Sequence, residues 1–478
     1  MANQSIPIYV DLDGSLIKSD SLIESLVLLI KQSPVMILMI PFWLLRGKAG
    51  FKDSIANQVK LDPRTLPYNE PVLEFLKNEK KRGRHLYLAT AAHESIAVGV
   101  YDHLQIFDGY LASSSQRNLS GDRKADAIEE QHRDYAYVGN ASCDLPIWRR
   151  AREAIVVDSG KRLVKSARTV TEVTNHFSST DLSPIMAALK AMRFHQWAKN
   201  ALLFTAAVFA HELFAPEVFG KLILAFFSFG FLASAVYLIN DILDLTADRV
   251  HPQKKFRPIA SGDFPIEIAS VGAVFLIVTS LCAAWLIDPG FGGMLIGYFI
   301  ITLCYSLVLK KIVLIDVLTL AILYTWRILA GAVLTDITVS FWLLGFSVFI
   351  FLSLALAKRA GEILQLKQIS LKTGRGYQPD DIQMIGMLGV ASGFSAVVIL
   401  TLYLNSPQVI AFYQQPVFLW LNIIFVLYWI SRVWLKTFRG EMHHDPIVFA
   451  IKDPVSYAIG CGVLISAIAG AYLSLGIP

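Results

Sequence analysis

Three aspartates stand at a helical spacing directly after a long uncharged stretch. Asp241, Asp244 and Asp248 follow the apolar run 222–239 and occupy positions i, i+3 and i+7, which would place their carboxylates on one helix face. Carboxylates at the end of an apolar span are costly and indicate a functional site. Proteins hold Mg²⁺ with one or two carboxylates together with phosphates and water. The spacing therefore predicts a magnesium-diphosphate site.

A basic segment, HPQKKFRPIASG at 251–262, comes next and supplies cations beside these acids. Lys and Arg are the usual partners of phosphate groups. A solvated loop is the alternative, and for Arg249 and Lys255 taken singly it is the better interpretation. The solvated-loop interpretation explains the charged block at 240–262 as a whole less well.

A second acidic pair lies near the N-terminus, where DLDGS follows the apolar run IPIYVD at 6–11. Similar short runs fall at 85–90, 135–139 and 154–158, with helical patterns between them. Short buried strands alternating with helices predict a parallel sheet covered on both faces, whose ligands bind at the carboxyl ends of the strands. Asp11 and Asp13 would lie at such an end.

Composition divides the chain of 478 residues, of which 54% are hydrophobic, into two unlike parts. Residues 1–183 are mixed in character, whereas nine apolar segments of near-spanning length follow. They fall at 200–214, 218–239, 266–287, 291–309, 313–334, 340–357, 385–404, 416–434 and 456–475. We predict a soluble α/β domain followed by an all-α polytopic membrane domain. The boundaries are 1–175 for the first domain, 176–192 for a linker and approach helix, and 193–478 for the second.

Charge in the connections predicts the topology of the membrane part. Lys and Arg fall in loops 240–265, 310–312, 358–384 and 435–455, and the alternate loops contain none. The positive-inside rule then places the charged loops and the N-terminal domain in the cytosol, and the C-terminus on the far side, of a bacterial inner membrane. The net charge of +5 is explained by these loops and does not indicate nucleic-acid binding. The N-terminal sequence lacks the apolar core of a signal peptide, and the four cysteines lack metal-type spacing.

The motif NDILDLTAD at 240–248 resembles the first aspartate motif of the UbiA superfamily of intramembrane prenyltransferases. The basic segment is similar to the branch typified by decaprenyl-phosphate phosphoribosyltransferase, as are RFHQWAKN (193–200), YSLVLKKIVLIDV (305–317), WRILAGA and KRAGE. The resemblance covers about residues 190–475 and implies nine helices.

One departure from the superfamily concerns its second aspartate motif, DxxxD, after the sixth span. Lys358, Arg359 and Glu362 stand there instead. Phosphoribosyl diphosphate (PRPP) carries a 5-phosphate opposite its diphosphate and so needs cations as well as metal-bearing acids. The substitution therefore favours PRPP over a prenyl diphosphate as the donor.

The resemblance implies Mg²⁺-dependent transfer of phosphoribosyl from PRPP to a polyprenyl phosphate, with Asp241 and Asp244 as the central catalytic residues. The lipid phosphate is already an anion, so no general base is required. The implied magnesium ligands are Asn240, Asp241, Asp244 and Asp248. Candidates for binding the substrate phosphates are Lys254, Arg257, Lys310, Lys358 and Arg359.

The N-terminal motifs resemble the haloacid dehalogenase-like phosphatase superfamily over about residues 5–165. The resemblance implies that Asp11 is the nucleophile, that Asp13 is the general acid and base, and that Mg²⁺ binds at Asp11 and Asp144. Thr90 and Lys124 would bind phosphate. Asn140 departs from the pattern because it replaces an acid in GNASCD. Retention of Asp13 favours activity over a non-catalytic regulatory module, and the product's 5-phosphate is the expected substrate.

An inserted helical cap is expected over residues 16–80. Its oily part, VLLIKQSPVMILMIPFWLLRGK, is interrupted by Lys31 and Pro34. Two interpretations stay open: a hairpin lying on the membrane with Trp43 and Arg46 near the interface, or the core of the cap. The HHD sequence at 443–445 is interpreted as part of a loop facing the donor site.

Two other functions remain alternatives. The membrane domain could be a conventional prenyltransferase acting on an aromatic acceptor, with a separate or regulatory phosphatase-like domain attached. The chain could also be a non-enzymatic membrane scaffold with a sensing module. The absent second aspartate motif is evidence against the first alternative.

Overall fold

A computed structural model describes residues 6–115, 117–157, 160–178, 180, 182–369, 376–407, 409, 413–442 and 446–472. The chain forms two compact units. The first contains residues Met1–Arg193 together with Tyr237–Val274, and the second contains Phe194–Val236 with Phe275–Pro478. The aspartate motif and its basic segment thus pack with the N-terminal part of the chain.

A parallel six-stranded sheet forms the centre of the first unit, as the alternating pattern predicts. Its strands are β1 (Ile8–Val10), β2 (Leu86–His93), β3 (Gly109–Ser113), β4 (Ala136–Gly139), β5 (Glu153–Val157) and β6 (Glu172–Phe177). Their order is β3-β2-β1-β4-β5-β6. In this Rossmann-like arrangement β1 is central and pairs through Ile8 with both Leu86 and Ala136.

The edge strands β3 and β6 are not among the predicted strands. Residues in β6 alternate between exposed and half-buried, and β3 is mostly half-buried. Their sequences, GYLAS and EVTNHF, therefore lack the continuous apolar character of the buried strands. β2 also continues to His93, past the predicted end at Thr90.

Helices cover the sheet and form an insertion after β1. The helices are α1 (Ser21–Gln32), α2 (Ile40–Leu44), α3 (Gly47–Ala56), α4 (Glu70–Lys81), α5 (Glu94–Leu104), α6 (Asp122–Glu129), α7 (Leu145–Arg150), α8 (Lys161–Arg168) and α9 (Pro184–Met192). Short 3₁₀ turns lie at Pro34–Met39, Pro63–Thr65 and Ser142–Asp144. Asp20 caps α1 by accepting hydrogen bonds from the amides of Leu22 and Ile23, which satisfies donors that a helix start leaves unpaired.

The insertion is shorter than the predicted cap. Leu29, Trp43, Phe51, Ile55 and Val59 form its own small core. Residues of α4 instead join the core of the sheet, through Val72, Leu73 and Leu76, because its apolar positions recur at helical spacing. The end of the oily segment remains at the surface: Val35, Leu38 and Leu45 are 75%, 70% and 86% exposed.

Eight helices in the described part of the chain are long and apolar enough to cross a membrane, so the prediction of nine was wrong by one. They occupy Pro216–Leu243, Ile266–Ile287, Pro289–Leu307, Ile315–Leu334, Phe341–Gln365, Pro379–Leu404, Pro416–Phe438 and Pro454–Tyr472. The fifth helix itself continues to Ile369. Shorter elements are the helices Thr205–Phe209, Leu245–Val250 and Pro446–Lys452 and the 3₁₀ turns Lys254–Phe256 and Leu309–Lys311.

The expected span at 200–214 is a broken segment. A 3₁₀ stretch, Phe194–Phe204, leads into the short helix Thr205–Phe209, and His211 then adopts a left-handed backbone with φ of 58°. A Cβ added at Gly331 would lie only 1.9 Å from the carbonyl oxygen of Leu203. The glycine on helix Ile315–Leu334 thus permits close backbone contact by the 3₁₀ stretch.

Candidate functional site

The aspartate motif spans the end of a membrane helix and the start of a short one. Helix Pro216–Leu243 ends just before Asp244, and Leu245–Val250 follows. The backbone amide of Asp248 still donates to the carbonyl of Asp244 at 2.8 Å, so the chain stays nearly helical through the motif. Asp241 and Asp248 are both buried and share one cationic partner, and the assignment of a magnesium site to them stays a prediction.

That shared partner is Arg257 from the basic segment. Its Nη1 donates to Oδ2 of Asp248 and lies 3.2 Å from Oδ1 of Asp241. Arg193 holds Asp241 from another side, with its Nη2 at 2.6 Å from Oδ1 and 2.8 Å from Oδ2. Two buried acids and two half-buried guanidinium groups therefore form one charge-balanced cluster.

The surroundings of this cluster shift the pKa of one of its acids. Burial, followed by the nearby Asp241 carboxylate, raises the pKa of Asp248 in spite of the opposing effect of Arg257. Arg193 also places its guanidinium 5.1 Å from the ring centroid of Tyr237, a cation–π contact. Arg193 was part of a recognised motif but had no predicted role, because a lone arginine before an apolar segment carries no distinctive spacing.

Arg249 is not the solvated loop residue that the sequence suggested. Its side chain is 7% exposed and pairs with Glu24, whose side chain is 2% exposed, at 2.6 Å. The same guanidinium donates to the carbonyls of Thr65 and Ala260. A loop arginine adjacent to Asp248 gives no sequence sign of a partner 225 residues away.

The remaining residues of the predicted donor site lie partly in the first unit and partly in the second. Asn240, Asp244 and Lys254 are half-buried in the first unit, and Lys310 and Lys358 are half-buried in the second. Arg359 is 1% exposed and lies 2.8 Å from Oδ2 of Asp316.

Arg359 belongs to a buried network inside the membrane domain. It pairs with Glu362 as well as Asp316, and the hydroxyl of Tyr377 donates to Asp316. A buried guanidinium so paired is held in a structural position, which is a different role from the phosphate contact that the sequence suggested. The HHD residues 443–445 lie outside the described part of the chain.

A second cluster lies at the carboxyl ends of β1 and β4. The Nζ of Lys124 is 2.8 Å from Oδ1 of Asp11 and 2.9 Å from the hydroxyl of Tyr137. Tyr137 in turn donates to Oδ1 of Asp144 at 3.1 Å. Oδ2 of Asp144 accepts from the backbone amides of Asn140 and Ala141 at 3.0 Å each. The structure thus brings the predicted Asp11, Lys124 and Asp144 together.

Tyr137, which completes this chain of contacts, is absent from the predicted set. Its side chain is fully buried and stands in a buried strand, so the sequence alone makes it a core aromatic. The only available signal is that a buried tyrosine hydroxyl normally requires a hydrogen-bond partner.

Two carboxylates at this cluster, Asp13 and Asp144, have raised pKa values. Burial, then the proximity of Asp20 and Asp11, raises the pKa of Asp13 to about 7. Burial and Asp11 likewise raise the pKa of Asp144 to about 6. Asp13 Oδ1 accepts a 2.8 Å hydrogen bond from the amide of Ser21, and this contact fixes its orientation. Acids with such shifts in a cleft mark a candidate active site.

A cavity of about 390 Å³ opens above these residues, a size suited to a small ligand. Asp11, Asp13, Lys124 and Asp144 line it, together with Lys18 and Lys52, which the sequence did not single out. Thr90 is fully buried, and its hydroxyl accepts from the amide of Ala92 at 2.9 Å. Its neighbour Ala91 contributes to the cavity wall instead.

The described residues contain no ready-made set of three or more His, Cys, Asp or Glu ligands. Mg²⁺ needs fewer, because phosphates and waters complete its octahedron. Asp241 and Asp248 contact the same guanidinium nitrogen, and Asp11 and Asp144 line the same cavity. Both pairs present only oxygen donors, which fits this cation.

The part of the chain that the structure describes contains eight apolar helices and, at the end of one of them, a cluster of buried acids and half-buried arginines, which are the features of a polytopic membrane protein with a polar site. The sequence profile of the UbiA prenyltransferase family matches residues 201–452, about half of the chain. The chain belongs to this family and is an integral membrane enzyme of the UbiA type.

Two relatives and one solved structure illustrate the similarity. The uncharacterized protein y4nM of Sinorhizobium fredii is 37% identical over 463 residues, covering 96% of this chain and 90% of that protein. Decaprenyl-phosphate phosphoribosyltransferase of Mycobacterium tuberculosis is 38% identical over 183 residues, covering 37% of this chain and 61% of that enzyme. A UbiA homolog from Archaeoglobus fulgidus bound to DMAPP and Mg²⁺ aligns with a TM-score of 0.44 and 15% identity, over 59% of this chain and 99% of that chain.

Proposed function

We propose that the membrane domain transfers phosphoribosyl from PRPP to a polyprenyl phosphate. The observation that carries this proposal is the position of Arg257, which contacts both Asp241 and Asp248. It joins the basic segment and the aspartate motif in one site, as a donor with phosphates at both ends requires. The partial likeness to decaprenyl-phosphate phosphoribosyltransferase supports the same donor.

The residues of the proposed donor site would have separate roles in the transfer. Asp241 and Asp248, with Asn240 and Asp244, would hold Mg²⁺, which neutralises the leaving diphosphate. Arg193 and Arg257 balance the acids before the donor binds, and Arg257 and Lys254 then contact its phosphates. Carboxylates near ribose C1 favour the positive charge that develops as the C1–O bond breaks. Lys310 and Lys358, in the second unit, are candidates for phosphate binding from the sequence alone.

Diphosphate release tests the transfer. Purified protein in lipid nanodiscs would be given PRPP and Mg²⁺ with and without a polyprenyl phosphate. We expect release only with the lipid, and a loss of at least about 100-fold in Asp241→Asn. Prenylation of a hydroxybenzoate from a prenyl diphosphate, with PRPP unused, would establish the conventional prenyltransferase function instead.

We further propose that the N-terminal domain is a haloacid dehalogenase-like phosphatase that removes the 5-phosphate of the transferase product. Its support is the cluster of Asp11, Lys124 and Asp144, joined by contacts of 2.8–3.1 Å through Tyr137. Asp11 would attack phosphorus, Asp13 would protonate the leaving oxygen, and Lys124 would bind the phosphate. Asp11 and Asp144 would hold Mg²⁺.

Orthophosphate release from the transferase product tests this second activity. Asp11→Asn should abolish release while diphosphate release continues. If Asp11→Asn also stops transfer, the division into two sites is wrong. If neither Asp11→Asn nor Asp241→Asn alters any activity, the non-enzymatic scaffold alternative gains support.

The arrangement of the first unit supports the proposed topology. Contacts between Glu24 and Arg249, and between Lys18 and Asp263, join the N-terminal domain to loop 245–265. The domain and this loop would therefore share one side of the membrane, which the positive-inside rule makes the cytosol.

A further inference from the structure

The cavity above Asp11 has a second wall that comes from the loop leading into a membrane helix. This wall consists of Ile259, Gly262, Phe264, Ile266 and Glu267, which line the cavity together with residues of the sheet domain. Helix Ile266–Ile287, one of the eight apolar helices, begins inside this wall. The cavity is therefore bounded partly by a membrane-spanning element.

Close contacts join this wall to the loop after β1, which carries Asp11 and Asp13. The Nζ of Lys18 lies 3.1 Å from Oδ1 of Asp263, with both side chains less than one-fifth exposed. Gly262 has φ of +81°, and a Cβ at this residue would be 2.6 Å from Cβ of Lys18. Such close backbone approach requires glycine. The wall is thus part of the site, not a neighbouring surface.

The exposed apolar surface of helix Ile266–Ile287 begins within about one helical turn of the cavity. Ile268 and Val271 follow Glu267 on the same helix and are 55% and 72% exposed. Apolar side chains this exposed on a spanning helix face lipid. A phosphate bound at Asp11 would accordingly lie near the head-group layer.

The insertion also contributes to the lining of the cavity and presents an apolar surface. Lys52 on α3 lines the cavity, and its Nζ donates to the carbonyl of Ala91. The preceding residues Val35, Leu38, Phe42 and Leu45 are all more than 60% exposed. With Arg46 and Lys48 exposed beside them, they have the character of an interfacial membrane anchor. Since the same unit contains the start of a spanning helix, a bilayer surface is the occupant that fits.

We propose that the Asp11 site acts on the phosphorylated head group of a lipid that remains in the membrane, in preference to the same phosphate ester free in solution. This inference rests on the proposed phosphatase function and specifies its substrate class. Asp11 attacks phosphorus, the ester P–O bond breaks, and Asp13 gives its proton to the leaving alcohol oxygen. Water then cleaves the aspartyl-phosphate, returning a proton to Asp13 and releasing orthophosphate.

A matched pair of substrates tests the proposal. Dodecyl-phosphoryl-ribose 5-phosphate in phosphatidylcholine vesicles and methyl-phosphoryl-ribose 5-phosphate in solution share one head group and differ only in the tail. With the full chain in the same vesicles, we expect kcat/KM for the tailed substrate to be at least about 100-fold higher. Values within about threefold of each other, or a preference for the methyl ester, would overturn the inference while leaving the phosphatase function intact. If neither ester is hydrolysed, both this inference and the proposed phosphatase function are wrong.

A variant of the anchor provides a second test. Leu38→Ser/Phe42→Ser changes two exposed side chains, so the fold should persist. We expect KM for the tailed substrate to rise about tenfold with kcat and the methyl ester unchanged, and Tyr110→Ser, on the edge strand β3, to change neither substrate. Equal effects on both substrates, or none on either, would contradict the proposed role of the anchor.

Binding without turnover gives an independent readout. Cys143 lines the cavity, so its alkylation rate, followed by mass spectrometry in Asp11→Asn, reports occupancy. The tailed ester should protect Cys143 at concentrations at which the methyl ester does not. Equal protection by the two esters would show that the site does not distinguish a membrane-bound head group.

Discussion

At the scale of single residues, Arg257 is the side chain on which the proposed donor site depends. Its Nη1 contacts both Asp241 and Asp248, so in the proposed site it would bind phosphate beside the acids that would hold the metal. Replacing it by Gln removes this cation and leaves two buried acids with fewer partners. We expect kcat/KM for PRPP to fall at least about 100-fold, measured by diphosphate release.

Lys255 offers a matched control in the same segment. Its Nζ lies 5.1 Å from the ring centroid of Phe256, and the residue is exposed. Lys255→Gln removes the same formal charge, yet kcat/KM should change by less than about threefold. A comparable loss in both variants would mean that the charge of the loop matters and the position of Arg257 does not.

Arg359 should contribute to the stability of the fold. Arg359→Met leaves Asp316 buried without its cation, a change that costs about 3–5 kcal/mol in the free energy of unfolding. The double variant Arg359→Met/Asp316→Asn removes both charges and lets the hydroxyl of Tyr377 still donate to residue 316. We expect it to recover most of the lost stability, measured by thermal unfolding in detergent. Full stability in Arg359→Met alone would contradict this structural role.

The predicted site residues that lie together in the structure are those with a distinctive order or spacing in the sequence. Asp11, Lys124 and Asp144 were expected together, as were Asp241 and Asp248, and each set converges. Tyr137 and Arg249 escaped prediction because their importance comes from partners distant in sequence. Arg359 was identified as unusual, but only the fold shows that Asp316 faces it.

At the scale of elements, the 3₁₀ stretch Phe194–Phe204 depends on a glycine of the helix it packs against. A methyl group at Gly331 would collide with the carbonyl oxygen of Leu203. Gly331→Ala should therefore lower the free energy of unfolding by about 1–3 kcal/mol, as overpacking does. Thermal unfolding in detergent measures the effect.

Gly293 is the control, since a Cβ there would meet nothing within 4 Å. Gly293→Ala on helix Pro289–Leu307 should be neutral or stabilising by less than about 1 kcal/mol. Equal losses for the two glycines would indicate a general intolerance of helix substitutions and not a specific backbone contact.

Hydropathy found the eight long helices because each needs a continuous apolar surface. It failed at 200–214, where apolar residues serve packing inside the protein: Leu203 and Ala207 are buried among helices of the second unit. The central strands were found for the same reason, whereas the half-exposed edge strands β3 and β6 carry too few apolar residues to be distinguished from loops.

At the scale of the whole molecule, we expect the N-terminal domain to stabilise the proposed transferase site. Glu24 on α1 and Arg249 beside Asp248 form a buried ion pair. Glu24→Gln should lower phosphoribosyl transfer at least about tenfold, because the unpaired Arg249 no longer fixes the loop next to the acids. Diphosphate release measures it. Glu74→Gln, an exposed change on α4, should leave transfer unaltered, and equal rates in all three proteins would contradict the coupling.

The most direct test of two sequential activities on one chain is the mass of the lipid formed from PRPP, Mg²⁺ and a polyprenyl phosphate. The wild-type protein should yield the lipid carrying one pentose and no second phosphate. Asp11→Asn should accumulate the same lipid with the 5-phosphate retained, and Asp241→Asn should yield neither. Unconsumed PRPP with the wild-type protein, or a dephosphorylated lipid from Asp11→Asn, would contradict the account.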